Sequence, residues 1–213
     1  MNKSVYSLVL SDEVIAAVDR AAHRTGLSRS AYINNVLAEA VSYTTPEKRM
    51  NDIFSEIEQL MNGDIFRIMP RPSETALAMR SALHFKYNPV IRYSIEFSKD
   101  DTKLSAKFTA YLRTQSAALI SCYSAFLALW VELDSSSFNK GYVYSVEGEK
   151  FTRYFDITIN EKISDNVIAS ALSGYVSVFD ELIKLYFTNA NDPKAAEAAV
   201  RKRYKELLGT AGI

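Results

Sequence analysis

The chain opens on a strict alternation. In Val5-Tyr-Ser-Leu-Val-Leu10, Tyr6, Leu8 and Leu10 share one pleat face while Val5, Ser7 and Val9 share the other, which predicts a short strand. From Ser11 the period lengthens to that of a helix. Val14, Ile15, Val18, Ala21 and Ala22 recur on one side, Ser11 is placed to cap the helix, and Asp12 and Glu13 sit at the positive end of its dipole. Thr25-Gly26 ends this run, the glycine suiting a left-handed residue after a helix. Ser28 then caps a second helix whose stripe is Tyr32, Ile33, Val36, Leu37, Ala40 and Val41, with Leu27 placed to pack back on it.

Beyond Val41 the pattern predicts a larger and more varied unit. Ser42 to Pro46 reads as a hinge, and Pro46 opens a helix to about Met61 with Ile53, Ile57, Leu60 and Met61 on one side. Residues 65–72 hold two prolines and read as an irregular or extended connector. Ser73 and Glu74 begin an expected helix through Ala76, Leu77, Met79, Ala82 and Leu83. Alternation then predicts strands over Val90–Phe97 and Leu104–Leu112, followed by an apolar helix over Ser116–Leu133. A second hairpin over 142–146 and 151–159 precedes a long helix from about Asn166 to Phe187, capped by Asp165. Asp192-Pro193 opens the last helix, which Gly209 is expected to end. The fold class is α+β, and two β-β-α units would supply a four-stranded antiparallel sheet covered by two helices.

The first segment is too small to bury both helical stripes, and one strand has two open edges. A two-fold dimer, with antiparallel strands and four helices around one core, answers both problems. In Ser7-Leu-Val-Leu-Ser-Asp-Glu13 and Gly26-Leu-Ser-Arg-Ser30, the chain resembles the ribbon-helix-helix family of dimeric DNA-binding proteins over about Lys3 to Val41. That resemblance implies a paired ribbon in the major groove and phosphates held at the N-termini of the second helices. By it, Val5, Ser7 and Val9 face base edges, while Lys3, Ser28, Arg29 and Ser30 face phosphates. Tyr6, Leu8 and Leu10 would face the dimer core. The family's ribbon often presents Arg, Lys, Thr, Asn or Gln. Here valine methyls can meet thymine methyls and Ser7 can make a short hydrogen bond.

Charge changes this picture little. The chain carries 25 basic and 25 acidic residues, so any attraction to DNA is local. Arg201, Lys202, Arg203 and Lys205 form its densest basic run, which suits either a helix C-terminus or an auxiliary phosphate surface. The 48% hydrophobic composition is enough for a small module, residues 1–43, and a larger domain, residues 44–213. The single Cys122 excludes an internal disulfide and suits a reducing compartment. No leader-like run and no stretch of eighteen apolar residues occurs, so a cytoplasmic protein without membrane attachment is expected.

Catalytic chemistry is hard to assemble from these residues. His23, His84 and Cys122 lie far apart, without zinc-ligand spacing, and no phosphate loop or nucleophile elbow occurs. Asp100-Asp101 fits a hairpin turn better than an acid/base pair, and His84 fits a helix end. Neither a metal nor a cofactor is expected, and the chain does not read as an enzyme. Thirteen tyrosines and eleven phenylalanines mostly fill a core, although Tyr93, Phe97, Phe108, Phe126, Tyr142, Tyr154, Tyr175 and Phe179 could also enclose an apolar pocket for a small-molecule effector. The expected function is a sequence-specific transcriptional regulator, a repressor, binding double-stranded DNA as a homodimer or higher oligomer. The alternatives are an antitoxin or plasmid-maintenance DNA-binding protein, and a scaffold that uses the first segment only to dimerise.

Overall fold

Capping chemistry fixes the first two helices. In the computed structural model, which describes residues 6–41, 43–83, 85, 88–100, 103–137, 143–158 and 163–211, α1 spans Asp12–Thr25 and α2 spans Arg29–Ala40. Ser11 is extended at φ −67°, ψ 154°, and its hydroxyl accepts from the Val14 N–H; Ser28 does the same for Ala31. Between them Gly26 takes φ +69°, a left-handed conformation in which its N–H reaches the carbonyls that α1 leaves open. Thr25 Oγ1 also donates to Ala21 and Ala22 carbonyls.

The chain divides into two compact units, Met1–Met50 and Asn51–Ile213, and the boundary falls inside α3 (Pro46–Leu60). Among the described residues of the first unit the buried hydrophobic ones are Ala21, Ala22, Ala38 and Met50, a very small core. The expected strand at its start is not formed: Tyr6 to Leu10 are exposed and have no regular structure, while Val5 lies outside the described residues. A lone strand has no ladder to complete within one chain, so its backbone groups stay with solvent.

The second unit is built on a six-stranded antiparallel sheet. Its strands are β1 (Arg67–Ile68), β2 (Ala76–Ala82), β3 (Val90–Asp100), β4 (Lys103–Leu112), β5 (Val143–Glu147) and β6 (Lys150–Thr158), in the order β1-β2-β3-β4-β6-β5. Thus the two hairpins meet along their second strands, and β1-β2 extend the sheet beyond the four strands expected. The helix expected from Ser73 is strand β2. Ala, Leu and Met favour helix locally, but burial of Leu77, Met79 and Ser81 on one face and pairing with β1 and β3 override that preference.

One sheet face carries Leu77, Met79, Ile91, Tyr93, Ile95, Phe97, Ala106, Phe108, Ala110 and Phe151, all buried. Helices α4 (Ala117–Ser137) and α5 (Asp165–Thr188) meet this face, and α6 (Pro193–Ala211) packs beside them. Phe179 of α5 is the centre of the core. Its ring lies 5.0 Å from Trp130, 5.4 Å from Phe126, 5.6 Å from Phe108, 5.7 Å from Phe151 and 6.0 Å from Tyr93. Phe54 of α3 adds a contact at 5.0 Å to Phe97. Beneath the rings, Tyr93 donates to Asp180 Oδ1 at 2.9 Å while Lys184 donates to Oδ2 at 2.6 Å. Burial, with Asp180 adding to it, pushes the Tyr93 phenol well above its ordinary value.

Several boundaries differ from the sequence reading. Helix α4 continues through Ser135-Ser-Ser137, where Ser136 and Ser137 return their hydroxyls to the Leu133 carbonyl instead of breaking the helix. Ser164, not Asp165, is the N-cap of α5, and α6 continues past Gly209 to Ala211. Among the described residues α4 is the one helix long and apolar enough to cross a membrane, and 44% of its apolar window is buried inside the protein.

Candidate DNA-binding face and second-unit cavity

The expected phosphate-facing residues come together only in part. Ser28, Arg29 and Ser30 occupy the exposed N-terminal turn of α2, where the first N–H groups have no carbonyl partner in the helix. Ser28 is committed to its cap on Ala31 at 3.2 Å. Arg29 is committed as well, through a two-pronged pair with both carboxylate oxygens of Asp19 on α1. This pair is solvent-exposed, so its net contribution is small and a competing anion can displace it. Sequence periodicity gives no sign of it, because Asp19 and Arg29 lie on different helices. Ser7 and Val9 are exposed in irregular chain, and Lys3 and Val5 fall outside the described residues; the base-facing set is therefore not assembled in the single chain.

Apolar exposure is concentrated in the same unit. Tyr6 is 85% exposed, Leu8 49% and Val41 73%, and Val14, Val36 and Leu37 are exposed with them. These are the residues whose spacing defines the inward faces of the predicted strand and helices. In one chain those faces are only partly covered, with Ile15, Val18, Tyr32 and Ile33 half-buried.

The second unit contains a cavity of about 350 Å³ between β6, α4, α5 and α6. Trp130, Phe155, Ile168, Leu172, Tyr175 and Leu208 supply much of its apolar wall, and Asp134 supplies a carboxylate. Tyr175 donates to Asp134 Oδ2 at 2.5 Å, and Arg153 Nε approaches the same oxygen at 3.8 Å. Arg153 also reaches the Val143 carbonyl and lies 5.1 Å from the Phe155 ring. A buried ion pair of this kind needs such additional partners to offset desolvation. Sequence reasoning named Tyr175 but missed Asp134 and Arg153, because nothing in a local pattern marks a charge as buried. Of the other expected pocket rings, Tyr93, Phe97, Phe108, Phe126 and Phe179 fill the core, Tyr154 lies on the opposite sheet face, and Tyr142 is outside the described residues.

The basic run on α6 is neutralised locally. Arg201 pairs with Glu132 and Glu197, and Arg203 with Glu181 and Glu206, which removes two of its four cations from any phosphate surface. Hydrogen bonding from Arg201 holds the Glu132 carboxyl below its ordinary value. Cys122 is free, and burial pushes its thiol up to about 11. No group of three or more metal-ligating side chains occurs among the described residues, and His84 and Asp101 lie outside them. Comparison with known proteins finds no protein-family model, no curated protein and no solved structure that matches the chain.

Proposed function

We propose that the protein is a sequence-specific DNA-binding regulator, a repressor, that works as a homodimer through its first unit. The observation that carries this reading is the uncovered apolar face of Tyr6, Leu8, Val14, Val36, Leu37 and Val41 around a core of alanines. A second copy is the occupant, because the missing elements are a strand partner for residues 5–10 and a facing pair of helices, and two-fold symmetry supplies both. Pairing would turn Val5, Ser7 and Val9 toward a major groove and bring two copies of Ser28-Arg29-Ser30 to flanking phosphates. Arg29 would exchange Asp19 for a phosphate on binding. The cavity beside Asp134 is the place in the second unit for an effector, which must bind the DNA-competent and incompetent arrangements unequally.

A second reading, a scaffold that only dimerises through the first unit, is favoured by the Arg29–Asp19 pair and the valine-rich ribbon. Selection of full-length protein against a randomised duplex library at near-physiological salt separates the two. Recovery of paired half-sites is the expected result, with Arg29→Ala weakening all sites alike and Asp19→Asn strengthening them. Failure to enrich any sequence, from protein shown to be folded and dimeric, favours the scaffold.

A further inference from the structure

The sheet of the second unit is covered by helices on one face, and its other face is polar. Register shows what that face carries. Arg67 of β1 lies opposite Arg80 of β2, Arg80 opposite Arg92 of β3, Arg92 opposite Tyr111 of β4, and Tyr111 opposite Lys150 of β6. One transverse row on five neighbouring strands therefore reads Arg-Arg-Arg-Tyr-Lys. With strands about 4.8 Å apart, the row is roughly 19 Å long. Like charges directly opposite one another on adjacent strands destabilise a sheet, and here two such pairs are consecutive. None of Arg67, Arg80, Arg92 and Lys150 forms an ion pair with a described carboxylate. Glu147 lies opposite Lys150 in register without closing to an ion pair, and Glu96, on the same face, is engaged by Lys107 at 2.6 Å.

Beside the row lies a shallow depression lined by Arg92, Ser94, Thr109, Tyr111 and Lys150, with the Lys107-paired carboxylate Glu96 also in its wall. Thr109 is 8% exposed, and its hydroxyl is buried without a hydrogen-bond partner. On the far side of the depression β6 presents a second exposed ring, Tyr154, four residues along the strand from Lys150.

We infer that this open sheet face is a binding platform for single-stranded nucleic acid, with phosphates along the Arg67-Arg80-Arg92-Lys150 row and bases against Tyr111 and Tyr154. Charge complementarity selects a polyanion, and the sheet's shape selects among polyanions. Six strands make a surface roughly 24 Å across, twice the width of a major groove, so the face cannot enter duplex DNA as a two-stranded ribbon does. A single strand laid across it meets cations for its backbone and phenol rings on which unpaired bases stack. The row is long enough for roughly four nucleotides, the lower end of such site sizes. This inference is independent of the duplex-binding role proposed for the first unit.

Full-length protein titrated with a fluorescent twelve-nucleotide single strand, over a range of salt, tests the platform. Arg80→Gln/Arg92→Gln is expected to bind at least tenfold more weakly, with the log–log salt slope smaller by about 1.4, since each single-strand phosphate contact contributes about 0.7. The same variant is expected to be at least as stable as the parent, because it relieves repulsion on an exposed face. Tyr111→Ala is expected to weaken binding about fivefold or more at unchanged salt slope. Leu8→Asp, which acts on the first unit, leaves single-strand binding in place. The inference is overturned if Arg80→Gln/Arg92→Gln binds like the parent, if poly-glutamate of equal charge competes as well as the oligonucleotide, or if Leu8→Asp abolishes binding. Binding of duplex through this face with equal affinity overturns it too.

Discussion

The two units differ in where their hydrophobic side chains end up. In Asn51–Ile213, Phe179 touches rings from three strands and a neighbouring helix, and Trp130, Tyr93, Phe108, Phe126 and Phe151 are all buried within the same chain. In Met1–Met50 serine caps and a left-handed glycine hold two helices, and several of their inward side chains, Val14, Val36, Leu37 and Val41 among them, remain on the surface. Local signals thus mark helix termini in both units, but among the described residues it is the second that closes its core with its own side chains. Helix formation in short segments draws most of its stability from packing, so the first unit has well-marked elements and little to hold them.

The strongest way to break the contrast is through Phe179. Its replacement by alanine empties the centre of the second unit and is expected to cost about 3–5 kcal/mol. Chemical denaturation followed by near-ultraviolet circular dichroism reads it, and the loss should be the same at every protein concentration. The first unit should behave oppositely. In the parent protein its own unfolding, followed by a fluorophore at position 43, is expected to shift by about 1.4 kcal/mol for each tenfold dilution if a second copy completes its core. A concentration-independent transition in the first unit would rule out the dimer, and with it the major-groove ribbon.

The same contrast explains which features are legible in the amino-acid sequence. Ser11, Ser28, Gly26 and Asp192-Pro193 act through bonds to residues a few positions away, so the helix termini they set are visible in sequence. The β3–β4 and β5–β6 hairpins are likewise local, and alternation finds them. Strand β2 is not legible, because Ala76 to Ala82 is rich in helix formers and its conformation depends on pairing with β1 and β3 and on burial of one face. The pairing of Arg29 with Asp19, the burial of Asp134 against Arg153 and Tyr175, and the alignment of Arg67, Arg80 and Arg92 all require tertiary register. Periodicity assigns a face to each residue but no opposite number.

A smaller effect is expected at the turns, because each unit contains a glycine under the same constraint. Gly26 ends α1 at φ +69°, Gly148 turns the β5–β6 hairpin at φ +58°, and a Cβ added at either would meet nothing within 4 Å. Alanine at each position is therefore opposed by the left-handed backbone alone, at about 1 kcal/mol. What differs is how that equal local cost is expressed. Gly148→Ala should lower the stability of the second unit by about 1 kcal/mol at any concentration, because β5 and β6 are anchored within one chain. Gly26→Ala should act twice in a dimer, once per copy, and so raise the dissociation constant by roughly 30-fold, about 2 kcal/mol. Paired measurements by sedimentation and by denaturation decide the matter. Equal, concentration-independent losses would mean that the first unit, despite its exposed leucines and valines, already folds alone.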